Sequence, residues 1–131
     1  MVELVFGFDF GIKRIGMAMG NTLTGQAQPL AVIKAIDNAA RFQQIGDLIA
    51  EWRPARLVVG EPRHPDGAEH EMTLRCRRFA NQLHGRFNLP VELVDERYSS
   101  AVISSRRGEV IDAIAASIIL QQYFDDHANN N

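Results

Sequence analysis

The sequence predicts an α/β fold in which a mixed five-stranded β-sheet is flanked by helices. Apolar side chains alternate with other side chains along residues 2–10, as in a β-strand, and later segments repeat their apolar residues at helical spacing. The predicted order is three strands, a helix, a strand, a helix, a strand and a helix. Such an order implies a mixed sheet whose faces are covered by helices through right-handed crossovers.

The first predicted strand carries an aspartate in an apolar setting. Its alternation separates the larger apolar residues, Leu4, Phe6, Phe8 and Phe10, from a second face with Val5, Gly7 and Asp9. A carboxylate with apolar neighbours costs several kcal/mol to bury unless it is paired or binds a cation. Asp9 is therefore expected either to cap the following turn or to bind a cation.

The next elements follow from turn and cap signals. Residues 15–19 and 30–36 are predicted as the second and third strands. A helix is expected to follow Asn38, a good N-cap residue, and to stop at Pro54. Its apolar stripe recurs at helical spacing and consists of Phe42, Ile45, Ile49 and Trp52.

The second half of the chain alternates strands and helices. Residues 57–60 form a short apolar run typical of a strand buried on both faces, and residues 91–95 form the last strand. A helix between them has an apolar stripe of Met72, Cys76, Phe79, Leu83 and Phe87. The final helix, residues 109–124, is apolar nearly all round and is therefore expected to be buried.

Length and composition indicate one domain spanning residues 1–131. No apolar run approaches the ~20 residues of a membrane span, and the amino terminus lacks the pattern of a signal peptide. The single cysteine, Cys76, is expected to be a core residue and suits a reducing compartment. The expected location is cytoplasmic, without a membrane partner.

The basic residues favour arginine over lysine. The net charge of −2 gives no global attraction to nucleic acid, but twelve of the fourteen basic residues are arginine, which pairs phosphate bidentately. Most lie in the second half: Arg63, Arg75, Arg77, Arg78, Arg86, Arg97, Arg106 and Arg107. They are either scattered solvated side chains or a phosphate-binding face.

Further carboxylates lie where an active site could form. Asp95 and Glu96 end the fifth strand, where parity alone does not decide which of them faces the same side as Asp9. Asp112 lies early in the last helix, where a charge could merely complement the helix dipole by about 0.3–1 kcal/mol. Glu61 follows the fourth strand. Clustered carboxylates keep their charge when a divalent cation lies between them, and hard oxygen ligands suit Mg²⁺ or Mn²⁺ rather than zinc.

Five short motifs follow one another along the chain. They are Asp9-Phe10-Gly11 with Lys13, Ile15 and Gly16; Val59-Gly60 with Pro62; Asp66-Gly67; Asp95-Glu96-Arg97 with Ser99; and Asp112 with Ala115, Ala116, Ile119 and Leu120. Together they resemble the YqgF-type family of bacterial Holliday-junction-resolvase-like proteins and nucleases that mature the 5′ end of pre-16S ribosomal RNA. The resemblance implies an RNase H-like fold, a cytoplasmic location and a metal-dependent nuclease centre.

The resemblance also implies roles for particular residues. Asp9, Glu96 and Asp112 would be catalytic and would bind Mg²⁺ or Mn²⁺, with Asp95 as the alternative to Glu96. We favour Glu96, whose longer side chain can reach a site from a strand end. Lys13, Arg97 and Ser99 would contact the substrate phosphate.

Two features depart from the family pattern. The segment between Ser100 and Asp112 is about half the usual length, which bears on nucleic-acid affinity if that loop grips substrate. Glu61 stands where the family commonly has an apolar residue and related resolvases have a catalytic glutamate, so it is a candidate fourth ligand.

The leading function is hydrolysis of a phosphodiester in structured RNA. The alternatives are cleavage of branched DNA, which normally needs two sites related by a two-fold axis, and a catalytically weak nucleic-acid-binding regulator. A monomer would favour RNA, and the sequence predicts no oligomeric state. A fragment of an actin-like sugar kinase would also explain the Asp-x-Gly turn, but its two-lobed architecture does not fit 131 residues.

Overall fold

A computed structural model of the chain describes residues 2–11, 13–34, 37–62, 71–96 and 109–128. The strands are β1 (Leu4–Phe10), β2 (Arg14–Asn21), β3 (Ala27–Lys34), β4 (Arg56–Pro62) and β5 (Val91–Glu96), and the helices are α1 (Asn38–Trp52), α2 (Glu71–Phe87) and α3 (Glu109–Ala128). They form one sheet in the order β3-β2-β1-β4-β5. The first three strands pair antiparallel, whereas β4 and β5 run parallel to β1. The predicted mixed five-stranded sheet is confirmed.

The two faces of the sheet bury different sets of side chains. The larger aromatic and aliphatic residues of β1 pack against α1 and α2, where Phe8 and Phe79 meet edge to face with centroids 5.6 Å apart. On the opposite face Val5 and Val58 pack against α3. The alternation expected for β1 is therefore confirmed on both faces.

Helix α3 lies very close to the sheet because glycines face it. A Cβ atom on Gly7 would come 2.8 Å from the Cβ of Leu120, well inside van der Waals contact. Small residues on the helix, including the fully buried Ala116, allow the same approach from the other side. The predicted burial of this nearly all-apolar helix is confirmed.

The N-cap of α1 is a correction to the sequence prediction. Asp37, rather than Asn38, has extended backbone angles, and its side chain accepts a hydrogen bond of 2.8 Å from the backbone N–H of Ala40. Both residue types are good caps, so the choice depends on where the chain leaves its extended conformation. The predicted end at Pro54 is confirmed, since Arg53 adopts a left-handed conformation directly after Trp52.

The third strand begins three residues earlier than the sequence predicts. The sequence prediction starts this strand at residue 30, after a loop rich in Thr, Gly and Gln, whereas β3 starts at Ala27. β3 is an edge strand of the sheet, where proline is tolerated, and Pro29 pairs with Ala18 beside a register shift. The predicted end at Ile36 lies outside the described residues.

Two expectations drawn from composition can be compared with the structure. Cys76 is 2% exposed and is a core residue, as predicted. Within the described parts of the chain, no helix combines the length and the apolar character that a membrane crossing needs.

Candidate active site at the carboxyl end of the first strand

Asp9 lies on the face of the sheet that α3 covers. It is two residues beyond Gly7, which faces α3, and it pairs with Gly16 across the antiparallel β1–β2 ladder. Residues directly opposite each other in such a ladder point to the same face. Asp9 is half-buried near the end of its strand and interacts with its surroundings.

Asp112 reaches the same place from the other end of the chain. A Cβ atom on Gly16 would overlap the backbone carbonyl oxygen of Asp112, so the start of α3 rests directly on β2 at this glycine. Because Gly16 is the ladder partner of Asp9, the two aspartates lie on one face of the sheet, over neighbouring strands. A chain with these carboxylates on opposite faces would have excluded a shared site.

An arginine accompanies Asp112. The Nε of Arg14 lies 2.8 Å from Oδ2 of Asp112, and the two side chains are 42% and 23% exposed. The N–H is not aligned with that oxygen, so the contact is an ion pair rather than a well-formed hydrogen bond. Oδ2 is itself buried and has no hydrogen-bond partner among the described residues.

Sequence reasoning missed Arg14 and selected its neighbour Lys13. Lys13 is exposed, and its role at the substrate phosphate stays a prediction. The strand alternation could have indicated Arg14. It stands two residues before Gly16 in β2, so its side chain lies on the same face of the sheet, which α3 covers.

The register of β5 separates the two acidic positions at its end. Val94 belongs to the cluster under α3, and Glu92 accepts a hydrogen bond of 3.0 Å from the hydroxyl of Tyr123 on that helix. Position 96 has the parity of these two residues and pairs with Pro62, whereas position 95 has the opposite parity. The side chain of Glu96 and all of Arg97 and Ser99 lie outside the described residues.

Tyr123 and Glu92 connect the C-terminal half of α3 to the sheet. Glu92 also forms an ion pair with Arg56, whose Nη1 lies 2.9 Å from Oε2 of the glutamate. Burial and then the hydrogen bond to Glu92 raise the pKa of Tyr123 to about 12. The pKa of Arg56 is also raised: burial by itself lowers it, but Tyr123, Glu92 and Glu3 together outweigh that effect. This network holds α3 in position without taking part in the acidic site.

Glu61, the candidate fourth metal ligand, lies away from Asp112 and pairs with an arginine. Its carboxylate accepts hydrogen bonds of 3.0 and 3.2 Å from Nε and Nη2 of Arg77 on α2. α2 covers the face opposite α3, so Glu61 and Asp112 lie on different sides of the sheet. The glutamate is 6% exposed, and its arginine partner explains how the charge is tolerated there.

The donor atoms near Asp9 suit a hard divalent cation. Among the described side chains no three acidic, histidine or cysteine groups lie close enough to bind a metal, and Glu96 is outside that set. The buried Oδ2 of Asp112 makes no hydrogen bond among the described residues, and its charge is compensated by the ion pair with Arg14. Carboxylate oxygens are the ligands that a hard divalent cation prefers.

The sheet order and the aspartate pair define an α/β protein of the RNase H-like class, with acidic residues on β1 and at the start of the last helix. The profile of the RuvX family, described as Holliday junction resolvase, matches residues 3–126. The chain belongs to this family.

Two proteins with similar sequences share one name. The chain is 55% identical to a protein of Paraburkholderia phytofirmans in an alignment of 127 positions, which covers 92% of this chain and 87% of that protein. It is 52% identical to a protein of Burkholderia ambifaria, over 96% of this chain and 93% of the relative. Both are named "Putative pre-16S rRNA nuclease".

The second of these alignments bears on the short segment before Asp112. It runs over 139 positions, more than the 131 residues of this chain, so the relative has internal residues that this chain lacks. This agrees with a shortened segment somewhere in the chain, and the predicted position between Ser100 and Asp112 stays a prediction.

Solved structures share the fold at low sequence identity. A Thermus thermophilus RuvC in complex with a Holliday junction substrate superimposes with a TM-score of 0.55 and 17% identity, over 96% of both chains. A fowlpox virus Holliday junction resolvase gives 0.56 and 13%, over 95% of this chain and 99% of the other. The expected RNase H-like fold is confirmed.

Proposed function

We propose that this chain is a metal-dependent endonuclease that hydrolyses a phosphodiester at the 5′ end of pre-16S ribosomal RNA. Support comes from family membership and from relatives with that name at more than half identity over most of the chain. A cytoplasmic location, where ribosomes are assembled in bacteria, belongs to the same proposal.

The observation that carries the proposal is the convergence of Asp9 and Asp112 around Gly16. More than a hundred residues separate the aspartates in sequence. Nevertheless both lie on one face of the sheet, because Gly16 pairs with Asp9 in the ladder and contacts the backbone of Asp112. A buried oxygen of Asp112 makes no hydrogen bond among the described residues and pairs with Arg14. Two carboxylates in one place raise the cost of ionising both, which a cation relieves.

Asp9, Asp112 and Glu96 are the proposed ligands of Mg²⁺ or Mn²⁺. Position 96 is chosen over position 95 because its parity in β5 matches that of Glu92 and Val94, which contact α3. When bound, such ions supply an activated water and stabilise charge on the leaving oxygen of a phosphodiester.

The remaining residues of the site would handle the substrate. The ammonium of Lys13 is exposed close to Arg14, and we assign it to the substrate phosphate together with Arg97 and Ser99. Arg14 would pair with the carboxylate of Asp112 until the cation displaces it. Asp95 has the opposite parity in β5, and its exposed carboxylate would instead hold the turn after the strand through its own hydrogen bonds.

The direct test is cleavage of a precursor 16S ribosomal RNA fragment with Mg²⁺ or Mn²⁺. We expect a single new 5′ end in the wild type, and no product from Asp9→Asn or Asp112→Asn. Asp47→Asn is the matched control, because Asp47 is an exposed aspartate on α1. Equal cleavage by Asp9→Asn and the wild type would overturn the proposal.

Branched DNA is the second candidate substrate, favoured by the description of the family. The same preparations tested on a four-way DNA junction decide between the two. Symmetric incision of the junction without cleavage of the RNA fragment would establish the resolvase activity instead. Binding of either nucleic acid without cleavage in either metal would favour a regulator.

A further inference from the structure

A basic cleft lies on the sheet face opposite the acidic site. It has a volume of about 160 Å³ and is lined by residues from the end of β1, the start of α1 and the middle of α2. Three of them are arginines, Arg41, Arg75 and Arg78, and none of the described lining residues is acidic. The cleft therefore concentrates positive charge in a protein whose net charge is −2.

The floor of the cleft is aromatic. Phe10 is partly exposed and packs on Phe79 with ring centroids 4.9 Å apart. The guanidinium of Arg41 lies 5.9 Å from the Phe10 ring, as in a cation–π contact. Guanidinium groups around a partly exposed ring match the phosphates and bases of single-stranded nucleic acid.

Helical spacing explains how the arginines meet. Arg75 and Arg78 are three residues apart on α2 and so lie on one side of it, with Phe79 directed toward the core. Both are exposed, whereas Arg77, between them, is turned toward Glu61. Arg77 therefore pairs with Glu61, and Arg75 and Arg78 line the cleft.

The cleft and the acidic site meet at the end of one strand. Phe10 follows Asp9 directly, and consecutive Cα atoms are about 3.8 Å apart. The two residues face opposite sides of the sheet, so a strand of nucleic acid that crosses the end of β1 would meet the carboxylates on one side and the arginines on the other.

We propose that this cleft, lined by Arg41, Arg75, Arg78 and Phe10, binds the phosphodiester backbone of an unpaired strand flanking the cleaved bond. The inference rests on the proposed nuclease function for the identity of its ligand. It assigns the arginine-rich composition to a site, in place of scattered solvated charges. The chemistry is shared by single-stranded RNA and DNA, and the affinity for each is measured separately.

The test is binding of a fluorescein-labelled oligouridylate, followed by fluorescence anisotropy without divalent cations so that no cleavage occurs. We expect the double variant Arg75→Gln/Arg78→Gln to bind roughly tenfold more weakly. The slope of log K against log salt concentration should become shallower by about 0.7 for each arginine removed. Arg53→Gln is the control, since it removes one exposed charge at the far end of α1 and should change affinity less than twofold. Thermal melts of each variant check that the fold is intact.

The outcomes separate this site from the catalytic proposal. Asp9→Asn should bind the oligonucleotide at least as well as the wild type, because it removes a negative charge near the path of the strand. The proposed binding site would be overturned if Arg53→Gln lost as much affinity as the double variant, or if the double variant bound as well as the wild type. Equal affinity for uridine monophosphate and the oligonucleotide would also overturn it. Failure to cleave RNA in Mn²⁺, with arginine-dependent binding retained, would overturn the nuclease proposal alone. Oligodeoxythymidylate in parallel shows which sugar the cleft prefers.

Discussion

Gly16 lies directly beneath Asp112, close enough that any side chain on the glycine would overlap the carbonyl oxygen of the aspartate. The same glycine pairs with Asp9 in the β1–β2 ladder. One residue without a side chain thus determines how closely the helix that carries Asp112 approaches the strand that carries Asp9.

Gly16→Ala should therefore destabilise the protein by about 1–3 kcal/mol, because the added methyl group forces the start of α3 away from the sheet. Gly85→Ala is the matched control. Nothing lies within 4 Å of a Cβ at that position, so the change should stabilise α2 by roughly 0.5–1 kcal/mol. Urea unfolding measures both effects, and equal stabilities for the two variants would contradict the close approach.

Metal binding should stabilise the wild type through Asp9. Mn²⁺ that binds only the native state at about one hundred times its Kd adds about 2.7 kcal/mol. Asp9→Asn should lose this shift while melting at the same or a slightly higher temperature without metal, because a repelling charge is gone. Asp47→Asn should keep the full shift in melts with and without Mn²⁺. The same shift in Asp9→Asn as in the wild type would argue against coordination by Asp9.

Glu96→Gln and Asp95→Asn should separate catalysis from stability. We expect Glu96→Gln to lose cleavage with little change in melting temperature, since its position has the parity of the residues that contact α3. Asp95→Asn should retain cleavage and melt at a lower temperature. Cleavage rate and melting temperature measured on both variants give the answer, and the reverse pattern would assign the metal to Asp95.

Arg14→Gln should raise the affinity for Mn²⁺ severalfold. The guanidinium of Arg14 forms an ion pair with the carboxylate of Asp112, so it competes with the proposed cation and repels it. The cost to folding should stay below about 1 kcal/mol, as is usual for partly exposed ion pairs. Isothermal titration with Mn²⁺ measures the change. A weaker affinity would instead show that Arg14 is needed to orient Asp112.

Tyr123 should make the protein sensitive to alkaline pH. Burial and the bond to Glu92 raise the pKa of its hydroxyl to about 12, so the native state keeps a proton that the unfolded chain releases near pH 10. Its contribution to stability is complete below about pH 10 and is lost as the pH rises toward about 12. Tyr123→Phe should weaken the protein by about 1 kcal/mol at neutral pH and flatten this decline. Urea unfolding between these pH values tests it, and parallel declines in the two proteins would contradict the shift.

The sequence by itself determined the elements and the face on which Asp9 lies. Period-two alternation depends only on the chain's own geometry, so it separates Asp9 from Phe8 and Phe10 without knowledge of the partners. The nearly all-apolar composition of α3 likewise required burial, which the structure confirms. Family motifs added the proposed roles, which local patterns do not contain.

Tertiary structure decided every relationship between distant residues. Glu61 was a plausible ligand until the sheet placed it toward α2, where Arg77 neutralises it. The parity of positions 95 and 96 acquires meaning only from the register of β5 with β4. Arg14 meets Asp112, and Asp9 shares its face, because α3 folds back across β2 at Gly16. Local propensity acts over a few residues, whereas side chains a hundred residues apart meet only where packing brings their elements together.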